Sequence, residues 1–315
     1  MGRYIIRRLL TMPLILLGIS IFTFVLIQLA PGDPITIQFG FDPRGQDPEV
    51  VARMREELGL NDPVPVQYVH YLNDLLHGDM GKSITSKTDV SFEILSRVPA
   101  TLELAFSAML LVIVIGVPLG ILCALYRGSL LDNFLMTLSL LGVSMPGFWF
   151  GIMLILFFSL QMGLLPSMGR GDGPIWTRLN SLILPSVTLS MMLMGIVTRV
   201  TRSSMLEVLG MDYMRTARAK GATRTREIFR HALPNALIPV ITMLAMQFAG
   251  LLGGSVIVET IFAWPGMGRL AVNSILRQDY PIVMGTVLVF AGVVVVVNLL
   301  LDIVYTLVDP RIRLG

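Results

Sequence analysis

The sequence has little that reacts and little that is charged. One cysteine, Cys123, stands among 315 residues, which excludes an intrachain disulfide framework and a thiolate metal cage. The three histidines, His70, His77 and His231, lie outside the apolar runs and form no H-E-x-x-H pair. Gly142-Val143-Ser144-Met145 faintly resembles a serine loop, yet it lacks the histidine base that intramembrane hydrolysis requires. Charged residues make up 14% of the chain and hydrophobic ones 54%, with a mean hydropathy of +0.75. A water-soluble globule carries about 25% charge, so the bilayer is the expected solvent. No basic stripe is interleaved with aromatics, and the net charge of +3 therefore does not point to nucleic acid. Gly81-Lys82-Ser83 imitates the end of a phosphate loop. The glycine required five positions earlier is Leu76, so nucleotide binding by this chain is excluded.

What is present is a set of six apolar runs, 9–29, 101–125, 134–160, 182–198, 236–262 and 282–306, each long enough to cross a hydrocarbon core. None of the 24 Lys and Arg residues lies in them. Glu103, Glu259 and Asp302 sit near run ends, where each is expected to bond a backbone end or a neighbouring arginine. The first run follows Arg3, Arg7 and Arg8, is too long for a secretory h-region and is expected to stay as an anchor. The positive-inside rule then puts both termini in the cytoplasm. Segment 199–235 carries eight basic and three acidic residues, and segment 30–100 six basic and eleven acidic, which predicts the former inside and the latter outside. Pro118, Pro146, Pro185 and Pro239 predict kinks that serve either tight packing or a lined cavity. Gly116 with Gly120, and the glycines of 250–254, permit close helix approach.

The expected fold is all-α: a polytopic membrane protein of six transmembrane helices with a cytoplasmic element and a small external helical domain. Residues 1–29 form a cytoplasmic stub and the first span, 30–100 the external domain, 101–306 the remaining spans with the loop 203–235, and 307–315 a cytoplasmic tail. In the external segment Asp47 caps a helix with Pro48 first and Gly59 closing it. A second helix fits 65–77 with Gly78 as its stop, and a third amphipathic stretch covers 89–98. Such a domain is either a docking surface for an extracytoplasmic partner, with Glu56 and Glu57 as candidate contacts, or a structural cap. In the cytoplasmic loop Asp212 caps a helix ending at Gly221, and Thr223 caps a second through His231, stopped at Leu233-Pro234. The small residues Thr216, Ala217 and Ala219 between cationic ends allow another protein to approach closely. A basic helix resting on anionic headgroups is the alternative reading.

At these residues the chain resembles the inner-membrane permease subunits of ABC importers. Gly221 and Leu233-Pro234 align with the glycine and the closing Leu-Pro of their cytoplasmic Glu-Ala-Ala pattern. Arg215 replaces its glutamate and His231 its isoleucine. Tyr-Met-Arg-Thr-Ala-Arg-Ala-Lys-Gly at 213–221 is similar to the form in the dipeptide and oligopeptide branch. So are Leu-Ala-Pro-Gly-Asp-Pro at 29–34, Gly-Leu-Asn-Asp-Pro-Val-Pro-Val-Gln-Tyr at 59–68, Glu-Thr-Ile-Phe-Ala-Trp-Pro-Gly-Met-Gly at 259–268 and Asp-Pro-Arg-Ile-Arg at 309–313. The resemblance covers essentially the whole chain, and is closest to the first of the two permeases of that branch, with its long first external loop.

The resemblance implies a non-catalytic subunit that forms half of a path for di- or oligopeptides, in a multi-pass cell inner-membrane location. It implies as partners a second related permease, two cytoplasmic ATPases that bind the ATP and magnesium, and a substrate-binding protein. It makes 213–221 the ATPase-coupling helix, with Tyr213, Arg215, Thr216, Ala217, Arg218, Ala219, Lys220 and Gly221 as its residues. Glu259, Trp264, Pro265 and Gly266 are implied to be structural or part of an external gate. Relatives for nickel, glutathione and oligosaccharides keep the substrate open. A secondary transporter or channel is the rival class, but it would place ionisable groups deep in the spans or show an internal repeat, and neither appears.

Overall fold

The computed structural model describes residues 2–29, 48–57, 61–171 and 173–308. Among them the regular elements are all helices, and the only extended pairing is an isolated bridge between Lys82 and Asp89. Five helices are long and apolar enough to cross a membrane: Leu10–Leu29, Val90–Leu125, Ile175–Leu209, Arg224–Ile261 and Tyr280–Leu301. A sixth crossing exists if the pair Leu130–Ser144 and Gly147–Gln161, bent by 107°, counts as one span. The run 134–160 is thus not one straight helix. Pro146 drives Met145 out of the α region, to φ −81° and ψ 134°, and the helix restarts at Gly147.

The described chain divides into two compact units, Met1–Pro99 with Arg269–Val295, and Ala100–Gly268 with Val296–Gly315. In the first, α1 (Gly2–Leu29) is followed by α2 (Pro48–Glu57), α3 (Val64–Leu76) and α4 (Val90–Leu95). The expected cap Asp47 and stop Gly59 lie outside the described residues. Helix α3 begins after Pro63 and is closed by Gly78 at φ +82°, one residue ahead of the expected bounds at its start. It docks on α1 through Phe24, which meets Tyr68 edge-on at 5.3 Å and stacks on Tyr71 at 5.9 Å. Ser20 and Tyr68 share a hydroxyl hydrogen bond of 2.9 Å at the same contact. Burial and the neighbouring Tyr68 push the Tyr71 hydroxyl up to about 12, so it stays neutral.

The second unit is built around a long central helix. In chain order it holds α5 (Val98–Leu111, shared with the first unit at its start), a π stretch Val112–Gly116, α6 (Val117–Leu125), α7 (Leu130–Ser144) and α8 (Gly147–Leu154). There follow α9 (Ile175–Leu209), α10 (Asp212–Ala219), α11 (Arg224–Arg226), a π stretch Glu227–Ala232 and α12 (Leu233–Ile261). The chain continues through α13 (Met267–Leu276) and α14 (Tyr280–Val308). Helix α9 packs against α6, α7, α8 and α12. Two glycines permit its closest approaches: a Cβ on Gly120 would lie 2.5 Å from the Thr198 carbonyl, and one on Gly195 2.4 Å from that of Ser139. Of the glycines in 250–254, expected to serve the same purpose, Gly254 would bring a Cβ to 3.4 Å from Leu189 on α9, whereas Gly250 and Gly253 meet no described atom within 4 Å.

Charge in this unit is clamped. Glu103 is held by two arginines, Arg170 (2.5 Å) and Arg178 (2.6 Å). The nearly buried Asp132 accepts from Arg202 Nε at 2.7 Å and Nη2 at 2.8 Å, and from the Gly128 backbone N–H. Glu259, fully buried, accepts from the Thr101 hydroxyl at 2.7 Å and the Ser255 hydroxyl at 3.2 Å. These partners are what a carboxylate in an apolar setting requires. The Asp302 side chain lies outside the described set.

Candidate coupling site

Helix α10 is short and basic, and its position is fixed by one apolar side chain. Met214 is fully buried in a cluster with Ala124, Met205, Val208, Ile228, Ala232 and Ala236. Those residues come from α6, the end of α9, the π stretch Glu227–Ala232 and the start of α12, so a single methionine ties the cytoplasmic helix to four elements at once. Burying such a side chain is worth roughly 1.5–3 kcal/mol.

Polar contacts complete the attachment. Arg218 donates from Nε to Glu227 Oε1 at 2.6 Å, and its Nη2 lies 2.5 Å from the same oxygen. The carboxylate raises the guanidinium further above its ordinary value. Asn235 Nδ2 donates to the Tyr213 hydroxyl at 3.1 Å and to the His231 carbonyl at 3.0 Å. Tyr213 and Arg218 therefore face the chain's own following segment. Beside this brace lies a cavity of about 520 Å³ lined by Ala124, Leu125, Leu209, Arg218, Arg224 and Glu227 among others.

Of the other expected coupling residues, all in the helix but Ala217 lie away from Met214 around its axis. Arg215, Thr216, Ala219 and Lys220 are exposed, and Ala217 is half-buried. Arg215 forms only a solvent-exposed pair with Asp212 at 3.5 Å. Gly221 has φ +81°, and a Cβ there would meet nothing within 4 Å. Its glycine is required by backbone conformation alone.

Three local expectations are corrected. Asp212 is the first helical residue and not the cap, a position taken by Met211 without any side-chain hydrogen bond. Thr223 occupies the next cap position, yet its side chain caps nothing. Leu233-Pro234 does not stop a helix either. The turn Arg224–Arg226 widens into the π stretch and continues into α12, with Pro234 in the first turn, where its missing N–H is tolerated. Sequence reasoning missed Met214, Glu227 and Asn235. The signal for the first was a lone apolar residue in a basic helix, and for Glu227 a lone acid among arginines.

The segment 259–268 forms a second, buried constellation. Trp264 is fully buried and its indole N–H donates to the Ala100 carbonyl at 2.8 Å. The Met267 backbone N–H donates to Thr101 Oγ1 at 2.8 Å. Ala263 takes φ +50°, and Pro265 leads to Gly266, where a Cβ would fall 2.2 Å from Glu259 Cδ. Only glycine fits against that carboxylate. Glu56 lies exposed on α2, while the Glu57 side chain is outside the described residues.

The description "binding-protein-dependent transport system inner membrane component" matches residues 116–314, and its N-terminal companion matches residues 1–105. The chain belongs to this family. The component is also similar along its whole length to curated relatives. It is 42% identical to the dipeptide transport system permease protein DppB of Escherichia coli K12, covering 99% of each chain. It is 44% identical to the oligopeptide transport system permease protein AppB of Bacillus subtilis 168, covering 99% of this chain and 100% of that one. Identity to the glutathione transport system permease protein GsiC of Salmonella typhimurium is 41%, over 99% of each. Among solved structures, an inward-facing MetNI methionine ABC transporter matches 69% of this chain and 97% of its own with a TM-score of 0.56 at 21% identity, a likeness of fold.

Proposed function

We propose that this chain is the transmembrane permease subunit of an ATP-driven importer, forming half of the translocation path for di- or oligopeptides handed over by an extracytoplasmic binding protein. It works beside a second related permease and over two cytoplasmic ATPases, which bind the ATP and magnesium, and it contributes no catalytic residue of its own. Both termini lie in the cytoplasm, so residues 30–100 face outward and α10 inward. The full-length likeness to dipeptide and oligopeptide permeases favours peptides, and the glutathione relative keeps a modified tripeptide as the second reading.

One observation carries the mechanism. Helix α10 is locked to the spans on one side through Met214, Tyr213 and Arg218, and presents Arg215, Thr216, Ala219 and Lys220 on the other. A rigid helix with a free basic face is what a force-transmitting contact to an ATPase needs. Closure of the ATPases displaces the helix, and the displacement enters α12 directly. Glu259, Trp264, Pro265 and Gly266 then act as the fixed external end of that helix.

Gly221→Val tests the assignment. The substitution meets no neighbour, so its effect is backbone strain of about 1–3 kcal/mol at a positive φ. In proteoliposomes the variant complex is expected to hydrolyse ATP while importing peptide several-fold more slowly. Import at the wild-type rate would remove α10 from the coupling role. The substrate is identified by co-purifying the complex with its binding protein and determining the retained ligand by mass spectrometry.

A further inference from the structure

In the first unit, the loop 83–86, the end of α4 and residues between Arg269 and Ile282 enclose a cavity of about 310 Å³. Its wall carries three cations, Arg97, Arg269 and Arg277, against two acids, Glu93 and Asp279. Both acids are engaged within the wall. Asp279 accepts from the Ser83 hydroxyl at 2.5 Å and from the backbone N–H groups of Ile84 and Thr85 at 3.1 Å. Glu93 Oε1 accepts from Ser86 at 3.1 Å and Thr88 at 2.9 Å. Among the described residues Arg97 and Arg277 form no ion pair, and Arg97 Nε is buried without a hydrogen-bond partner.

A buried donor without an acceptor is uncommon. Here the arginine that carries it lines a cavity whose cations outnumber its acids and whose acids already accept hydrogen bonds from the wall. The chemistry that fits is a carboxylate, which a guanidinium fork receives with two parallel N–H donors. We infer that this cavity is the seat of an aspartate or glutamate side chain of the extracytoplasmic binding protein, received by Arg97 and Arg277. The inference rests on the importer reading above, which places loop 83–86 and α13 outside. A free peptide is disfavoured by its own ammonium group, which would enter a wall of net positive charge whose two carboxylates already accept hydrogen bonds from the wall itself. A side-chain carboxylate brings no such charge. The docking point is therefore basic.

The experiment uses the assembled complex in lipid nanodiscs and its ligand-loaded binding protein, with ATPase stimulation measured against binding-protein concentration. Arg97→Gln and Arg277→Gln are each expected to raise the half-maximal concentration roughly tenfold or more. They should also flatten its increase with salt, because the pair being screened is gone. Arg277 is exposed, so its replacement preserves the fold even where that of Arg97 does not. Arg277→Lys, which keeps the charge but not the fork, is expected to fall between. Lys87→Gln, which removes a cation from the same loop outside the cavity, should leave the value unchanged. An equal shift in Lys87→Gln, or none in Arg277→Gln, overturns the proposal while leaving the importer reading intact. Saturable binding of free dipeptide that Arg277→Gln abolishes overturns the choice of partner. Failure of the loaded binding protein to stimulate the wild-type complex instead removes the importer reading itself.

Discussion

Asp279 is 2% exposed, and three donors from residues 83–85 converge on its carboxylate. Burial alone pushes its carboxyl up, but the Ser83 hydroxyl and the N–H groups of Thr85 and Ile84 outweigh that and hold it below the usual carboxylate range. With the folded value below the unfolded one, the carboxylate's contribution is complete above the ordinary value of 3.8 and is lost as pH falls through the lower folded value. Melting temperature measured from pH 7 to pH 3 is expected to hold and then drop below about pH 4. Asp279→Asn should remove that part of the drop and cost about 1–3 kcal/mol at neutral pH, because a buried donor loses its acceptor. Single side chains of this kind were unevenly legible in the sequence. A carboxylate such as Glu103, near the end of an apolar run, has to find a cation, and it finds Arg170 and Arg178. The partner of Asp279 lies 196 residues away at Ser83, a pairing that no local pattern encodes.

At the scale of elements, periodicity and punctuation located the helices well, and the errors gather where helical geometry departs from 3.6 residues per turn. The bounds of α3 and the positive φ at Gly78 and Gly221 follow from proline and glycine placement. The run 134–160 looked continuous because hydropathy does not register the backbone restriction that Pro146 places on Met145. Leu233-Pro234 looked like a stop because a proline inside an α-helix breaks it. A π stretch immediately before it shifts the hydrogen-bonding frame and lets the chain run on. Arg218, which the resemblance makes a coupling residue, also pairs with Glu227 across the Gly221 turn. Glu227→Gln is therefore expected to loosen α10 and lower peptide imported per ATP hydrolysed, with the complex still assembled. The exchanged pair Arg218→Glu with Glu227→Arg should restore part of the ratio. If Glu227→Gln imports with unchanged stoichiometry, the brace does not hold the helix in place.

For the molecule as a whole, the scarcity of cysteine becomes an experimental asset. Cys123 is buried, so a membrane-impermeant maleimide should leave the parent chain unlabelled. Glu56→Cys should react in intact cells, and Lys220→Cys only after the membrane is permeabilised; the reverse pattern would invert the proposed orientation. That orientation gives a mechanical meaning to the continuous helical segment Arg224–Ile261 of 38 residues, which runs through the π stretch into α12. At the α-helical rise it is a lever arm roughly 57 Å long. A tilt of about 5° at its cytoplasmic end would displace the far end by about 5 Å if the arm is stiff, which is comparable to one helical turn. The far end is where Glu259 is hydrogen-bonded and Trp264 is buried. In the proposed coupling, a small angular change at α10 would be amplified into a translation large enough to re-seat side chains at the far end of the arm.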